Sequence, residues 1–246
     1  MDRSEFDKFA DEYCVLHAQN IGVTGELPDY FAEYKVRDIY NQIRAAGDSY
    51  DNLRILDFGG GVGSAIPFYR QYFPSCQVVC ADVSRRSLDL AMGRFGESAS
   101  YTLFDGETLP LESGVFDIAF AACVFHHVPM AEHIALLREL RRVLSNNSGR
   151  LFLYEHNPLN PLTVYAVSTC VFDRDAVLIP SWKMRRQFQE AGYLDIAVRY
   201  RVFFPRFLAF LRFLEFRMSW LPFGAQYCVA GRVSNADEHR GQPNSE

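Results

Sequence analysis

The 246-residue chain predicts an α/β fold in which seven strands form a doubly wound, mostly parallel sheet, and three observations predict it. Short apolar strands alternate with amphipathic helices between residues 53 and 154, the rhythm of a parallel sheet covered on both faces. The first strand runs directly into Gly59-Gly60-Gly61-Val62-Gly63 before a helix. Two more strand patterns, at 194–202 and 226–233, follow the alternating part.

Each element has a local reason. Residues 1–52 read as an acidic helical cap: Phe6, Phe9, Tyr13 and Leu16 recur at helical spacing, and a second helix over 28–46 carries Tyr30, Phe31, Tyr34, Ile39 and Ile43 and stops at Gly47. Residues 53–156 form the core. Strand 53–58 leads through the glycines into a helix to about Phe73, and strand 77–81 leads to a helix that Ser84 caps and that runs to about Phe95. Strands 101–104 and 115–122 follow, then a helix over 131–144 with Ile134, Leu137, Leu140 and Leu144 on one face, then strand 150–154. Residues 157–233 belong to the same domain and begin in a Pro/Asn-rich loop over 156–163. A helix over 182–191 ends at Gly192, and a further helical insertion separates the last two strands. The tail, 234–246, is polar and expected to be disordered.

Composition excludes several classes. A net charge of −5 and a pI near 5.7 argue against a globally basic nucleic-acid binder. The six cysteines are scattered and form no CxxC pair, so buried free thiols in a reducing compartment are expected. The chain opens without a basic-then-apolar leader and has no apolar run long enough to span a bilayer, so a cytoplasmic protein is expected.

The glycine loop carries the strongest chemical signal. A strand that runs through glycines into a helix N-terminus offers backbone N–H groups to a nucleotide-like ligand. A dinucleotide fingerprint needs a third small residue, but Ser64 and Ile66 occupy that place in the two possible frames. The order is instead Asp57-Phe58-Gly59-Gly60-Gly61-Val62-Gly63, with a carboxylate that would repel a pyrophosphate but suits a sulfonium and an ammonium. Asp82-Val83 ends strand two, where an acidic side chain can accept ribose hydroxyls. Asp105-Gly106 follows strand three, and Gly114-Val115-Phe116-Asp117 leads into strand four, which ends at Ala122.

Taken in order, these segments resemble the motifs of class I S-adenosylmethionine-dependent methyltransferases over residues 34–154, including the run Val124-Phe125-His126-His127-Val128 common in the small-molecule branch. The resemblance implies a Rossmann-like fold and S-adenosyl-L-methionine as cofactor. It places Asp57, Gly59, Gly61, Gly63, Asp82, Val83, Asp105, Gly106 and Ala122 at the cofactor, with Asp105 meeting the adenine amine. Residues 155–163 and 221–227 are similar to bacterial methyltransferases of glycan or secondary-metabolite pathways.

Methyl transfer from a sulfonium needs alignment and a dry cavity more than covalent help. A base is required only where the acceptor must lose a proton, and His126, His127, Glu155 and His156 all fall beyond the carboxyl ends of strands four and five. A histidine that packs inward, or a Glu155 that holds a backbone amide, is the competing reading. No metal is expected, and His133 reads as a surface residue of its helix. The Asn/Asp-Pro-Pro-aromatic turn of nucleic-acid amino methylation is absent after strand four, and the paired glutamates of arginine methylation are also missing.

The acceptor signal lies late in the chain. Phe204, Phe207, Phe210, Phe213 and Phe216 recur every third residue among arginines, which on an α-helix would sweep the rings around the axis. Such a segment suits a lipid-linked or phosphate-bearing acceptor and peripheral membrane contact, or packs as a lid or homodimer helix. A catalytically silent partner subunit and an NAD-dependent enzyme are the alternative functions.

Overall fold

The computed structural model describes residues 25–49, 51–146, 148–170, 173 and 175–234. The first predicted helix, around Phe6 to Leu16, and the predicted tail from 235 onward lie outside these residues. Seven strands form one sheet in the order β3-β2-β1-β4-β5-β7-β6. They are β1 (Arg54–Phe58), β2 (Gln77–Asp82), β3 (Ser100–Leu103), β4 (Ile118–Ala122), β5 (Arg150–His156), β6 (Leu194–Arg201) and β7 (Gln226–Arg232). β1 to β5 are mutually parallel, and β7 runs antiparallel between β5 and β6.

The strands inside the two edges are largely buried on both faces, and their alternation builds two cores. Ile55, Ile118, Phe120, Phe152 and Tyr154 point to one face, where α1 (Pro28–Ala46) and α2 (Ile66–Tyr72) cover them with Phe31, Ile39, Ile43, Tyr69 and Phe73. Leu56, Phe58, Ala119, Leu151, Leu153 and Val229 point to the other. There α4 (His133–Val143) contributes Leu136, Leu137 and Leu140, and α6 (Ser181–Glu190) contributes Met184 and Phe188. α3 (Arg85–Phe95) packs Leu88 on Ile66 and Cys80, with Ser84 Oγ accepting the Ser87 amide as its cap.

Several expectations are corrected. β4 begins at Ile118, because Val115 and Phe116 make only an isolated bridge and turn bonds to the end of α4. β5 continues two residues beyond Tyr154, paired through Glu155 and His156 with β7. The Pro/Asn loop contains a helix, α5 (Pro161–Thr169), which Asn160 caps through the Thr163 amide. His133 is fully buried rather than exposed, bonded to the Val128 carbonyl and to Gln187.

The phenylalanine segment is 3₁₀-helical over Arg206–Leu214 with a kink at Leu208 (φ −106°, ψ 18°), and is followed by the short α7 (Glu215–Met218). With about three residues per turn, a period-three pattern stays on one side instead of sweeping round. Phe207, Phe210, Phe213 and Phe216 are between 70% and 88% exposed, and Trp220 and Phe223 extend the same apolar surface. No helix among the described residues is long and apolar enough to cross a membrane.

Candidate active site

A cavity of about 760 Å³ opens beside the carboxyl ends of β1 and β4, where the strand order reverses. Ligands in open α/β sheets sit at this switch point. The parallel strands deliver Asp57, Asp82, Ala122 and His156 to its wall, while α1, α5 and the 204–207 segment close the far side.

The glycine loop is shaped by contacts a side chain would destroy. A Cβ on Gly59, at φ +67°, would meet Val124 Cγ2 at 2.4 Å, so the loop lies against the turn that carries the histidines. At Gly61, φ +52°, a Cβ would project into open space on the cavity side. Gly61 N–H and Ser84 N–H both donate to the Asp82 carboxylate at 2.8 Å, which ties the loop to the end of β2.

Asp57 is buried at the base of the loop, and its Oδ2 has no hydrogen-bond partner among the described residues. Burial and the neighbouring Asp82 push its carboxyl up to about 7, with Tyr69 partly offsetting them. An under-satisfied buried carboxylate facing a cavity fits a cationic ligand group. Asp57, Gly59, Gly61, Asp82, Val83 and Ala122 line the cavity; Gly63, Asp105 and Gly106 lie outside the lining. Gly63 packs under α2 near Ile66 and Phe95, and Asp105 is exposed, its Oδ1 accepting the Glu107 and Thr108 amides.

The opposite half is built around a buried carboxylate. Cys123, in the left-handed region at φ +58°, turns the chain out of β4 into a short 3₁₀ turn, Phe125–His127. Glu155 accepts the amides of Val124 and Phe125 at 3.1 and 2.7 Å and His126 Nδ1 at 2.6 Å. It stands behind the wall, and His126, His127 and His156 form the wall itself. The His127 and His156 rings lie 4.1 and 5.3 Å from that of His126.

Asp173, absent from any sequence motif, reaches the same cluster: His126 Nε2 and His127 Nε2 each lie 3.4 Å from its Oδ1. These three donor atoms lie within 4.8 Å of one another, the one such group among the described residues. The two imidazoles meeting a carboxylate account for this convergence as an ion-pair network. Burial disfavours a charged His126, but Glu155 and Asp173 on its two sides outweigh it and hold the imidazolium well above the usual histidine range. Burial and that neighbouring charge drive His127 and His156 down to about 4, so both are neutral at pH 7. Burial opposes the Asp173 anion, yet His126 holds its carboxyl at about 2.

The two late segments noted in the sequence bind each other. Asn157 Nδ2 donates to the carbonyls of Pro222 and Gly224, Asn160 Nδ2 to Phe223, and Thr163 Oγ1 to Ala225. α1 is held over the cavity by Arg201 to Asp38 at 2.8 Å and by the Tyr154 hydroxyl on the same carboxylate. It brings in Lys35, which no sequence signal marked.

Residues 56–153 match the methyltransferase domain family. Over that segment the chain is similar to methyltransferases. The chain is 26% identical over 157 residues to human thiol S-methyltransferase TMT1B, covering 61% of this chain and 59% of that one. It is 29% identical over 102 residues to the malonyl-[acyl-carrier protein] O-methyltransferase of Geobacter sulfurreducens, covering 41% and 38%. The chain therefore spans well under two thirds of the length of either curated relative. A Thermotoga maritima S-adenosylmethionine-dependent methyltransferase shares its fold at a TM-score of 0.63 and 17% identity, covering 94% of this chain and 98% of that one. The cavity fits the chemistry of S-adenosylmethionine, with the under-satisfied buried carboxyl of Asp57 beside the glycine loop.

Proposed function

We propose that the protein methylates an amphiphilic small molecule whose reactive head enters the histidine chamber while its apolar part lies along α5 and the phenylalanine segment. The observation that carries this reading is one cavity whose lining brings together Asp57 and Gly61, His126, His127 and His156, and the apolar Leu162, Phe204 and Phe207. A lipid-linked sugar and a secondary metabolite with a polar head on an apolar body both have this form.

S-adenosylmethionine supplies the methyl group on a sulfonium, open to in-line displacement by the acceptor atom. Asp57 would face the cationic end of that ligand, Gly59 and Gly61 would let the backbone approach it, Asp82 would receive its ribose hydroxyls, and Val83 with Phe104 would flank its base. Glu155 holds His126 and the 124–125 amides in place, a positioning role. His127 and His156 face the acceptor as neutral imidazoles, each with one N–H able to hydrogen-bond it. The exposed aromatic face, with Arg206 and Arg217 at its edge, suits docking at an anionic membrane surface from which such an acceptor is drawn.

Calorimetry with S-adenosylhomocysteine and with NAD tests the cofactor half, and a mass search for singly methylated products across lipid-linked and apolar acceptors tests the rest. Binding of NAD alone would falsify it. Flotation with vesicles rich in anionic lipid tests the membrane contact, which is rejected if no protein floats with or without S-adenosylhomocysteine.

A further inference from the structure

Lys35 is one of three lysines in the chain and sits on the inner face of α1. It is 6% exposed and lines the same cavity as Cys123, His126 and His156. Its Nζ makes one hydrogen bond, to the Phe31 carbonyl one turn back on the same helix at 3.2 Å, and lies 5.2 Å from the centre of the Tyr34 ring. No carboxylate pairs with it among the described residues. Glu155, the nearest buried acid that influences it, already serves two amides and His126. Cys123 is no counter-ion either, because burial raises its thiol and keeps it neutral.

A buried ammonium with N–H groups unused and no paired anion among the described residues is costly unless a ligand completes it. At a position that packs on the sheet, an aliphatic residue would meet every folding requirement. Burial also lowers the Lys35 pKa, the mark of a cation short of solvation.

We propose that Lys35 is the counter-ion of the acceptor, and that the group methylated arrives as an anion, a carboxylate or a thiolate. The proposal deepens the reading of this cavity as a methyl-acceptor site and rests on it. The acceptor oxygen or sulfur uses a lone pair to form the bond to the methyl carbon, the carbon–sulfonium bond breaks, and its electron pair stays on the departing sulfur. The products are a neutral ester or thioether and a neutral sulfide, and no proton has to be removed. The histidines agree with this: His126 already carries its proton, and His127 and His156 are too weakly basic to deprotonate an alcohol.

The test uses the full chain loaded with S-adenosylhomocysteine and four probes of equal length: octanoate, octanethiol, octanol and octylamine, measured by calorimetry at pH 8. Octanoate, octanethiol or both should bind at least about ten-fold more tightly than octanol, an ion-pair-sized preference. Lys35→Met should abolish the preference and Lys35→Arg should keep it, while both variants bind S-adenosylhomocysteine as the wild type does. Equal binding of octanoate, octanethiol and octanol to the wild type overturns the proposal without any variant, as does a preference that survives in Lys35→Met. Failure of the wild type to bind S-adenosylhomocysteine at all would instead overturn the cofactor reading. Which of the two anions binds separates a carboxylate acceptor from a thiolate.

Discussion

The two ends of the cavity are built by different means. The proposed cofactor end is nearly contiguous in sequence: Asp57 through Ala65, then Asp82 and Val83 at the next strand end, with the Gly59, Gly60 and Gly61 amides tying the loop to Ala81 and Asp82. The acceptor end gathers Lys35 from α1, His126 and His127 from a turn, His156 from β5, Asp173 from a loop and Phe204 from the segment before the 3₁₀-helix. The first uses strand-to-loop geometry shared by a whole fold, and the second uses side chains that meet only when distant elements dock. A common step is thus encoded locally, and the choice of partner is encoded by assembly.

The contrast can be broken first at Asp57. Asp57→Asn should cut S-adenosylhomocysteine affinity by about a hundred-fold, the loss expected for a buried charge pair, measured by calorimetry. The same change should stabilise the free protein. The Asp57 carboxyl rises from 3.8 to about 7 on folding. Its bound proton therefore favours the fold fully below pH 3.8, and that advantage drains away as pH climbs through 7. At about 1.4 kcal/mol per pH unit the difference is at most roughly 4 kcal/mol. Asn mimics the protonated acid, so thermal melts should show little gain at pH 4 and a rise of several degrees at pH 8. An equal gain at both pH values would remove Asp57 as its source.

At the acceptor end, Glu155→Gln should destabilise by about 3 kcal/mol, because it breaks a buried ion pair and weakens the anchor of two amides. Denaturant melts would report this, together with loss of turnover. His156→Ala should lower turnover by roughly ten- to a hundred-fold, the range for one positioned polar group, and leave S-adenosylhomocysteine affinity within about two-fold. Equal losses in both would dissolve the division between the two ends. The smallest effect on folding is expected for Phe210→Ser with Phe213→Ser. Both rings are at least 70% exposed, so stability should move by less than about 0.5 kcal/mol per site while vesicle flotation falls.

This division also explains what the sequence made legible. The strand–glycine–helix pattern, the acidic strand ends and the alternation of faces are short-range signals, and β1, β2, α1 and α3 lie within a residue or two of their expected limits. The helix at Pro161–Thr169 was hidden because nearly all its residues are apolar or hydroxylated, leaving no amphipathic stripe to read. His133 looked like a surface residue because a histidine has no polarity pattern that reveals a bond to a carbonyl five residues earlier and to Gln187 on another helix. The phenylalanine repeat was visible, but its face depended on whether the helix turned in 3.0 or 3.6 residues. Lys35 and Asp173 carried no signal, since one lysine on an apolar face and one aspartate in a loop acquire meaning only through what docks against them.

The antiparallel pairing of β5 with β7 sets Glu155 opposite Tyr227 and His156 opposite Gln226, whose side chain also meets the Tyr34 hydroxyl of α1. During synthesis the chain emerges from its N-terminal side, and segments fold as they become available. The glycine loop and the strands that hold it are present once β4 has been made. The chamber for the acceptor must wait some hundred residues more, until β7 inserts between β5 and β6 and fixes both the histidine strand and the helix bearing Lys35. Under the proposed function, a nascent chain thus has the loop for its methyl donor well before it has the chamber that selects what to methylate.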